Sequence, residues 1–306
     1  MLWNNWLFLA LLAPFMWALV NIIDAYFVKG IYEDEYDGTI ISGLFQLVPW
    51  LAVPFIGIAW TSTQGVLLAV AGGFLFILSN FFYFRALFHQ ADAALILIVW
   101  GTVGIVVPGT EALMGERLML AQYVGIGLAF IGAALLTLNG EIRRRNFGKV
   151  VCQMFWAVIL CSGSMILEDR AFELLSFWDG LLFISLGSAL ASCFFWAIRP
   201  GEKKNGHILL AKKYFGIFLV AEGLALAGII INTRAISVGP VSLVSAIGNI
   251  QPAWIMLIGL AIYLIAKIFG FGQRKSIRSL HRDQIVGWPV KVVAMTVIAV
   301  GVYLIG

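Results

Sequence analysis

Charge is scarce in this 306-residue chain: Asp, Glu, Lys and Arg make up 12% of it, where soluble domains carry roughly 25%. Apolar residues reach 61% and mean hydropathy is +0.97. A water-soluble fold of this length would lack polar side chains to cover its surface. The composition therefore excludes a soluble enzyme, a nucleic-acid-binding module and a secreted disulfide scaffold. The chain has only three cysteines, Cys152, Cys161 and Cys193. All lie in apolar runs without disulfide or metal spacing, and they are expected to be small core residues. Its three histidines, His89, His207 and His281, are expected in loops, with no metal-ligand pattern and no neighbouring nucleophile. No Gly-x-x-x-x-Gly-Lys-Ser/Thr phosphate loop occurs, which excludes ATP hydrolysis by that route. With no catalytic constellation and no metal or cofactor motif, a non-enzymatic role is expected.

What the chain does have is long apolar runs. Ten candidate membrane spans are expected at 6–27, 40–60, 65–87, 92–113, 119–139, 148–168, 178–198, 214–236, 239–266 and 287–305, each near the ~20 residues a helical crossing needs. The N-terminus lacks a basic leader and its first run is too long for a cleaved signal, so it is expected to stay as the first membrane helix. Short connections suit antiparallel neighbours, Val238-Gly239-Pro240 marks a tight turn, and the longest polar connection, about 267–286, is rich in Lys and Arg. Of the 20 Lys and Arg residues, only Arg117, Arg170 and Arg234 fall in even-numbered loops. By the positive-inside rule the odd loops face the cytoplasm and both termini lie outside. A plasma membrane of the bacterial inner-membrane type is expected. The net charge of +4 thus sets topology, with no nucleic-acid partner implied.

A weak repeat divides the chain at 145/146. Met16-Trp17-Ala18-Leu19-Val20 resembles Phe155-Trp156-Ala157-Val158-Ile159, Arg85-Ala86-Leu87 resembles Arg234-Ala235-Ile236, and Ala129 to Ala133 resembles Ile298 to Val302. The matches keep one order in two halves, residues 1–145 and 146–306. Five spans per half make the halves insert oppositely, an inverted repeat that favours a pathway between them near the midplane. The expected fold is an all-α polytopic membrane protein of ten transmembrane helices in two inverted five-helix repeats.

The stretch Tyr83-Phe84-Arg85-Ala86-Leu87, Ala91-Asp92-Ala93-Ala94-Leu95, Gly115-Glu116-Arg117-Leu118 and Gln122-Tyr123-Val124-Gly125 resembles the drug/metabolite transporter superfamily, specifically its ten-helix EamA-type members. Gly239-Pro240-Val241-Ser242-Leu243 and Gln251-Pro252 continue the likeness in the second half. The Gly-Glu-Arg turn is replaced there by the basic segment from Arg274 to Asp283. The resemblance implies a secondary transporter or exporter of small metabolites, with four helices of each half around a central cavity and the fifth and tenth packed outside it.

Polar groups within spans are costly and usually face a bundle interior or a wet cavity. Pro14, Trp17, Asn21 and Asp24 share one helical face in the first span. Glu222 is the deepest acid in the chain, suited either to proton coupling or to holding a cationic group of a substrate. Arg85 and Arg234 occupy corresponding positions in the two halves, with Asn80, Tyr83 and Asn232 nearby; lipid-headgroup snorkelling is the alternative for both arginines. Trp100, Gly104, Val107 and Glu111 share a face of the fourth span, and Ser242, Ser245, Asn249 and Pro252 a face of the ninth. Glu116 and Arg117 are expected to cap helix ends and pair locally, and Gly125, Ala129 and Ala133 to pack against another helix. Candidate substrate-binding residues are Trp17, Asn21, Asp24, Asn80, Tyr83, Arg85, Trp100, Glu111, Glu222, Asn232 and Asn249. The expected function is alternating-access transport of a small polar or amphipathic metabolite. A flippase for a lipid-linked headgroup, its basic loops attracting anionic membrane lipids, and a non-transporting partner in a membrane assembly are the alternatives. An oligomer is not implied.

Overall fold

A computed structural model describes residues 2–89, 93–137, 147–200, 206–268 and 288–306, which are helical with short connections and contain no strand. In order, the helices are α1 (Trp6–Gly30), α2 (Glu35–Phe45), α3 (Val53–Ile56), α4 (Thr63–Phe88), α5 (Ala93–Gly101), α6 (Val103–Leu113) and α7 (Leu120–Thr137). They continue with α8 (Phe147–Phe172), α9 (Phe177–Ile198), α10 (Gly206–Lys213), α11 (Phe215–Val238), α12 (Val241–Ile247), α13 (Gln251–Ile268) and α14 (Trp288–Ile305). Among the described residues, nine stretches are long and apolar enough to cross a bilayer: Trp6–Asp24, Glu35–Ile56, Thr63–Phe88, Ile96–Leu113, Leu120–Thr137, Gly148–Phe172, Phe177–Ile198, Phe215–Val238 and Val241–Ile265. The chain is thus a polytopic all-α membrane protein. The apolar stretch of α14, Pro289–Ile305, is shorter than each of these stretches.

Besides the second crossing, where a 3-10 turn over Val48–Ala52 parts α2 from α3, two crossings are broken midway. In the fourth, Thr102 separates α5 from α6; its N–H donates to the Val99 carbonyl at 3.0 Å and its hydroxyl to the same carbonyl at 2.6 Å. In the ninth, a 3-10 turn over Gly248–Ile250 separates α12 from α13. The two breaks meet. A Cβ on Gly101 would lie 2.6 Å from Asn249 Oδ1, and one on Gly104 2.6 Å from Asn249 Nδ2, so only glycine leaves room for the Asn249 amide.

Around this contact, α1 runs along α11, α4 along both α8 and α9, α6 along α12, α2 along α9 and α7 along α14. Glycines bring several of these pairs into backbone contact. Gly73 on α4 lies against the Ile184 carbonyl of α9, and Gly187 on α9 against the Val70 carbonyl of α4. Such close approach maximises dispersion contact where lipid supplies no hydrophobic drive between helices. Gly125 and Gly132 of α7 meet Gly301 and Ala294 of α14 in the same way.

Several sequence expectations need correction. The second crossing begins at Glu35 rather than 40, because Asp34 caps it: its carboxylate accepts from Tyr36 N–H at 3.1 Å. Asp37 is thereby drawn inside the helix, fully buried, where the Arg199 guanidinium lies 2.9 Å away. Arg199, with no side-chain exposure, also bonds both Asp34 oxygens at 2.9 and 3.1 Å, tying the end of α9 to the start of α2. His207 lies buried in α10 rather than in a loop. Cys161 is buried, but Cys152 and Cys193 are exposed on the outer wall, where lipid is as apolar as a core. Glu116 pairs not with Arg117 but with Arg170 of α8, at 3.8 Å. Arg234 reaches along the membrane face, bonding the Trp3 carbonyl and Asn4 Oδ1 and covering the Phe177 ring. Asp92, Arg143 to Arg145, Lys203, Lys204, His281 and the basic segment from Arg274 to Asp283 lie outside the described residues.

Gly187→Val should destabilise the protein by about 1–3 kcal/mol, seen as a lower melting temperature in detergent, whereas Gly216→Val, whose Cβ would meet open space, should not. Burial and the neighbouring Arg199 charge hold the His207 imidazole below its usual value of 6.5, against a smaller opposing pull from Asp37. A lowered folded-state value means the unfolded chain binds more protons, so this contribution is complete above about pH 6.5 and is lost as pH falls. The melting temperature should therefore drop more steeply between about pH 8 and about pH 5 than that of His207→Gln; parallel curves would contradict the assignment.

Candidate functional site

The face of α1 that carries Trp17, Asn21 and Asp24 follows Pro14, which cannot donate to the Ala10 carbonyl. These side chains open onto a central cavity of about 170 Å³. That is close to the ~150 Å³ of an engineered protein cavity that admits benzene. Nine of the eleven residues singled out in the sequence border it. They are Trp17, Asn21 and Asp24 of α1, Asn80 and Tyr83 of α4, Trp100 of α5, Glu222 and Asn232 of α11, and Asn249 at the α12–α13 break. Helical periodicity on separate crossings therefore converges on one space.

Arg85 and Glu111 do not border it. Arg85 sits two residues beyond Tyr83 and so points away from the cavity; its side chain is 45% exposed, 3.6 Å from Glu35. Glu111 lies two turns beyond Gly104 near the end of α6, where Arg170 bonds both its oxygens at 3.3 and 3.4 Å. Arg170 also holds Glu173 at 2.6 Å. Both residues belong to face networks that an apolar-run reading cannot separate from the interior.

Ser42 and Gln46 of α2, Phe76 of α4, and Ser164 and Glu168 of α8 also line the cavity without having been singled out. Glu168 was hidden because the apolar run of the sixth crossing stops there. The helix itself continues to Phe172, which places Glu168 within the wall at 6% exposure. The Ser164–Glu168 spacing of four residues, one helical turn, was the available signal.

Three carboxyls thus face the cavity, Asp24, Glu168 and Glu222, and none of its lining residues is Lys, Arg or His. Among the described residues none of the three forms an ion pair. Asp24 and Glu222 are near enough to repel each other when ionised, with Ser42 beside Glu222. Aromatic rings frame this acidic half. Tyr83 donates to Asn21 Oδ1 at 2.9 Å and stands edge-on to Trp100, ring centroids 5.6 Å apart. The Asn249 amide is 3% exposed and its Nδ2 has no hydrogen-bond partner, so the cavity presents an unpaired donor there, as it does at Gln46 Nε2.

Apolar clusters close the space along the helix axes. One turn beyond the acids lie the buried rings of Phe27, Tyr32, Phe84 and Phe218; Phe27 and Phe218 are 4.8 Å apart and Tyr32 stacks on Phe218 at 5.8 Å. At the opposite end Leu9, Val103, Val107, Met165, Ile236 and Val244 form an aliphatic plug.

No family model matches the chain, and no curated protein matches it in sequence. A solved crystal structure, described only as that of a protein, shares the fold: its TM-score is 0.63 at 17% identity, over 99% of this chain and 95% of the other.

A buried amide donor without a partner costs about 1–3 kcal/mol. Asn249→Leu, close to isosteric, should therefore raise the melting temperature of the purified protein; a fall would show that Nδ2 is satisfied in the folded state.

Proposed function

We propose that this protein is a secondary transporter that carries a small cation-bearing solute through the central cavity by alternating access. The observation that carries the reading is the unpaired acid set. Desolvated carboxylates are retained within a membrane protein only at considerable cost, and among the described residues Asp24 and Glu222 have no cation to offset it. A solute ammonium group between them, its apolar body against Trp17, Tyr83 and Trp100, supplies the missing charge and adds cation–π attraction. Asn249 Nδ2 then donates to an acceptor atom at the solute's other end. The space favours a single-ring or similarly small molecule.

The helix pairings support two inverted five-helix repeats, 1–145 and 146–306, with α14 as a tenth crossing. Exchanging the halves turns the pairing of the first crossing with the eighth into that of the sixth with the third. It leaves the fourth with the ninth, the second with the seventh and the fifth with the tenth unchanged. The breaks at Thr102 and at Gly248–Ile250 fall in exchangeable crossings. Such architecture alternates access by rocking one half against the other about a fixed site. The aromatic cluster and the aliphatic plug are then the two gates, opened in turn. This agrees with the likeness of Tyr83 to Gly125 to EamA-type drug/metabolite transporters. By the positive-inside rule the basic odd loops favour the aromatic gate as the cytoplasmic one, in a plasma membrane.

Two probes of matched shape and opposite charge test this. Phenethylammonium should quench the tryptophan fluorescence of the purified protein saturably, and phenylacetate should not. Asp24→Asn combined with Glu222→Gln should weaken phenethylammonium at least about tenfold, since each factor of ten is only 1.4 kcal/mol of lost charge pairing. Equal response to both probes, or none to either, would contradict the reading.

A further inference from the structure

Glu168 stands apart from the Asp24–Glu222 pair, on the α8 wall where that helix crosses α4. Ser164 Oγ lies 3.0 Å from Glu168 Oε1 and 2.8 Å from the Gly72 carbonyl of α4. A hydroxyl has one proton to donate. Two oxygens 2.8 Å apart repel unless a proton lies between them, and a carbonyl has none to offer. The Ser164 hydroxyl can share its proton between the Gly72 carbonyl and Glu168 Oε1, and gives it wholly to Gly72 when the Glu168 carboxyl carries a proton of its own to donate. The geometry accommodates a protonated Glu168. Its Cγ also fits against Gly72, where a Cβ would come within 3.1 Å, so nothing separates the acid from the α4 backbone.

We infer that Glu168 is the proton site of the transport cycle, distinct from the solute acids, and that its proton locks α8 to α4. Loss of that proton to water on the open side leaves a carboxylate, which accepts from Ser164. The hydroxyl then turns from Gly72, and the carbonyl loses its partner on α8. Because α4 also carries Asn80 and Tyr83, proton release at Glu168 loosens the helix that shapes the solute site. This inference rests on the transport reading above.

The surroundings leave the proton without a competitor. On α8 itself, the buried Cys161 thiol faces Glu168, while Asp169 and Arg170 turn toward Glu111. From α4 comes only Arg85, at its far end with Glu35. α6 brings Glu111, engaged by Arg170. α9 brings Asp179, held by Ser176 and Ala59 N–H. α11 brings Glu222 across the cavity and Arg234, which is bonded to Trp3 and Asn4. α5 and α12 bring no charged side chain among the described residues.

Infrared spectra of the purified protein in lipid, taken as the bath passes from acid to alkaline, test the proton directly and need no solute. In the Asp24→Asn, Glu222→Gln background a protonated-carboxyl band that titrates apart from the exposed acids should remain, fade on alkalinisation, and be absent once Glu168→Gln is added. A band that survives Glu168→Gln overturns the inference. If Glu168→Gln fails to fold, Ser164→Ala serves instead: the band should move to the frequency of a carboxyl that donates no hydrogen bond, and an unmoved band overturns it. In proteoliposomes, Glu168→Gln alone should lose at least about tenfold of its pH-gradient-driven phenethylammonium accumulation beyond any change in its phenethylammonium binding measured in parallel, a coupling loss within the usual range for linked sites. Undiminished accumulation sinks the proton role while leaving cation transport standing; absent phenethylammonium binding in the parent sinks the transport reading, and the infrared result still decides whether Glu168 holds a proton.

Discussion

An ionised carboxyl in a low-dielectric interior needs a positive partner, and this requirement sorts the acids of the protein into two classes. At the membrane faces, arginines gather them: Arg199 holds Asp34 and Asp37, Arg85 holds Glu35, and Arg170 holds Glu111, Glu116 and Glu173. These pairs staple α9 to α2, α4 to α2, and α8 to the end of α6. Around the cavity, Asp24, Glu168 and Glu222 have no such partner among the described residues. A bundle stapled at its faces and uncompensated at its centre is stable as a container and incomplete as a binding site. The proposed solute cation and proton are what complete it.

The container depends on a second constraint, that backbone groups in lipid must be satisfied within the protein. While the 3-10 turn over Val48–Ala52 in the second crossing is tied to α9 by Trp50 Nε1, which donates to the Leu182 carbonyl, the breaks at Thr102 and at Gly248–Ile250 border the cavity rather than lipid. They face each other because Gly101 and Gly104 leave room for Asn249. Elsewhere glycines do the opposite work, drawing α4 onto α9 and α7 onto α14 until backbones touch. Close packing at the periphery and opened helices at the centre together put the available volume in one place. The aromatic and aliphatic clusters above and below then differ in chemistry, one built of rings that can turn about χ1 and one of short aliphatic side chains.

The cavity face of α1 was legible because Trp17, Asn21 and Asp24 recur at helical spacing within an otherwise apolar run. Asn249 was legible for the same reason, and Glu222 because a carboxyl deep within an apolar span is costly. Arg85 was misplaced because a residue two positions from Tyr83 is turned well away from it, and no one-dimensional pattern says which of the two faces inward. Glu111 was misplaced because its partner Arg170 is 59 residues away in sequence. Glu168 was overlooked because hydropathy ends its crossing where charges begin, whereas the helix continues until its backbone bonds run out at Phe172.

By itself, the sequence determined the solvent and the secondary structure: 61% apolar residues in runs of crossing length leave lipid-embedded helices as the way to satisfy the backbone. It also determined which few polar side chains had to be accounted for, since each is expensive within a span. Only the tertiary structure decided which acids are paired and which are bare. Hydropathy is a sum over neighbours in the chain, while compensation of charge depends on neighbours in space. Scarce charge first indicated a membrane protein; the distribution of that charge, paired at the faces and, among the described residues, unpaired around the cavity, is what the proposed transport site rests on.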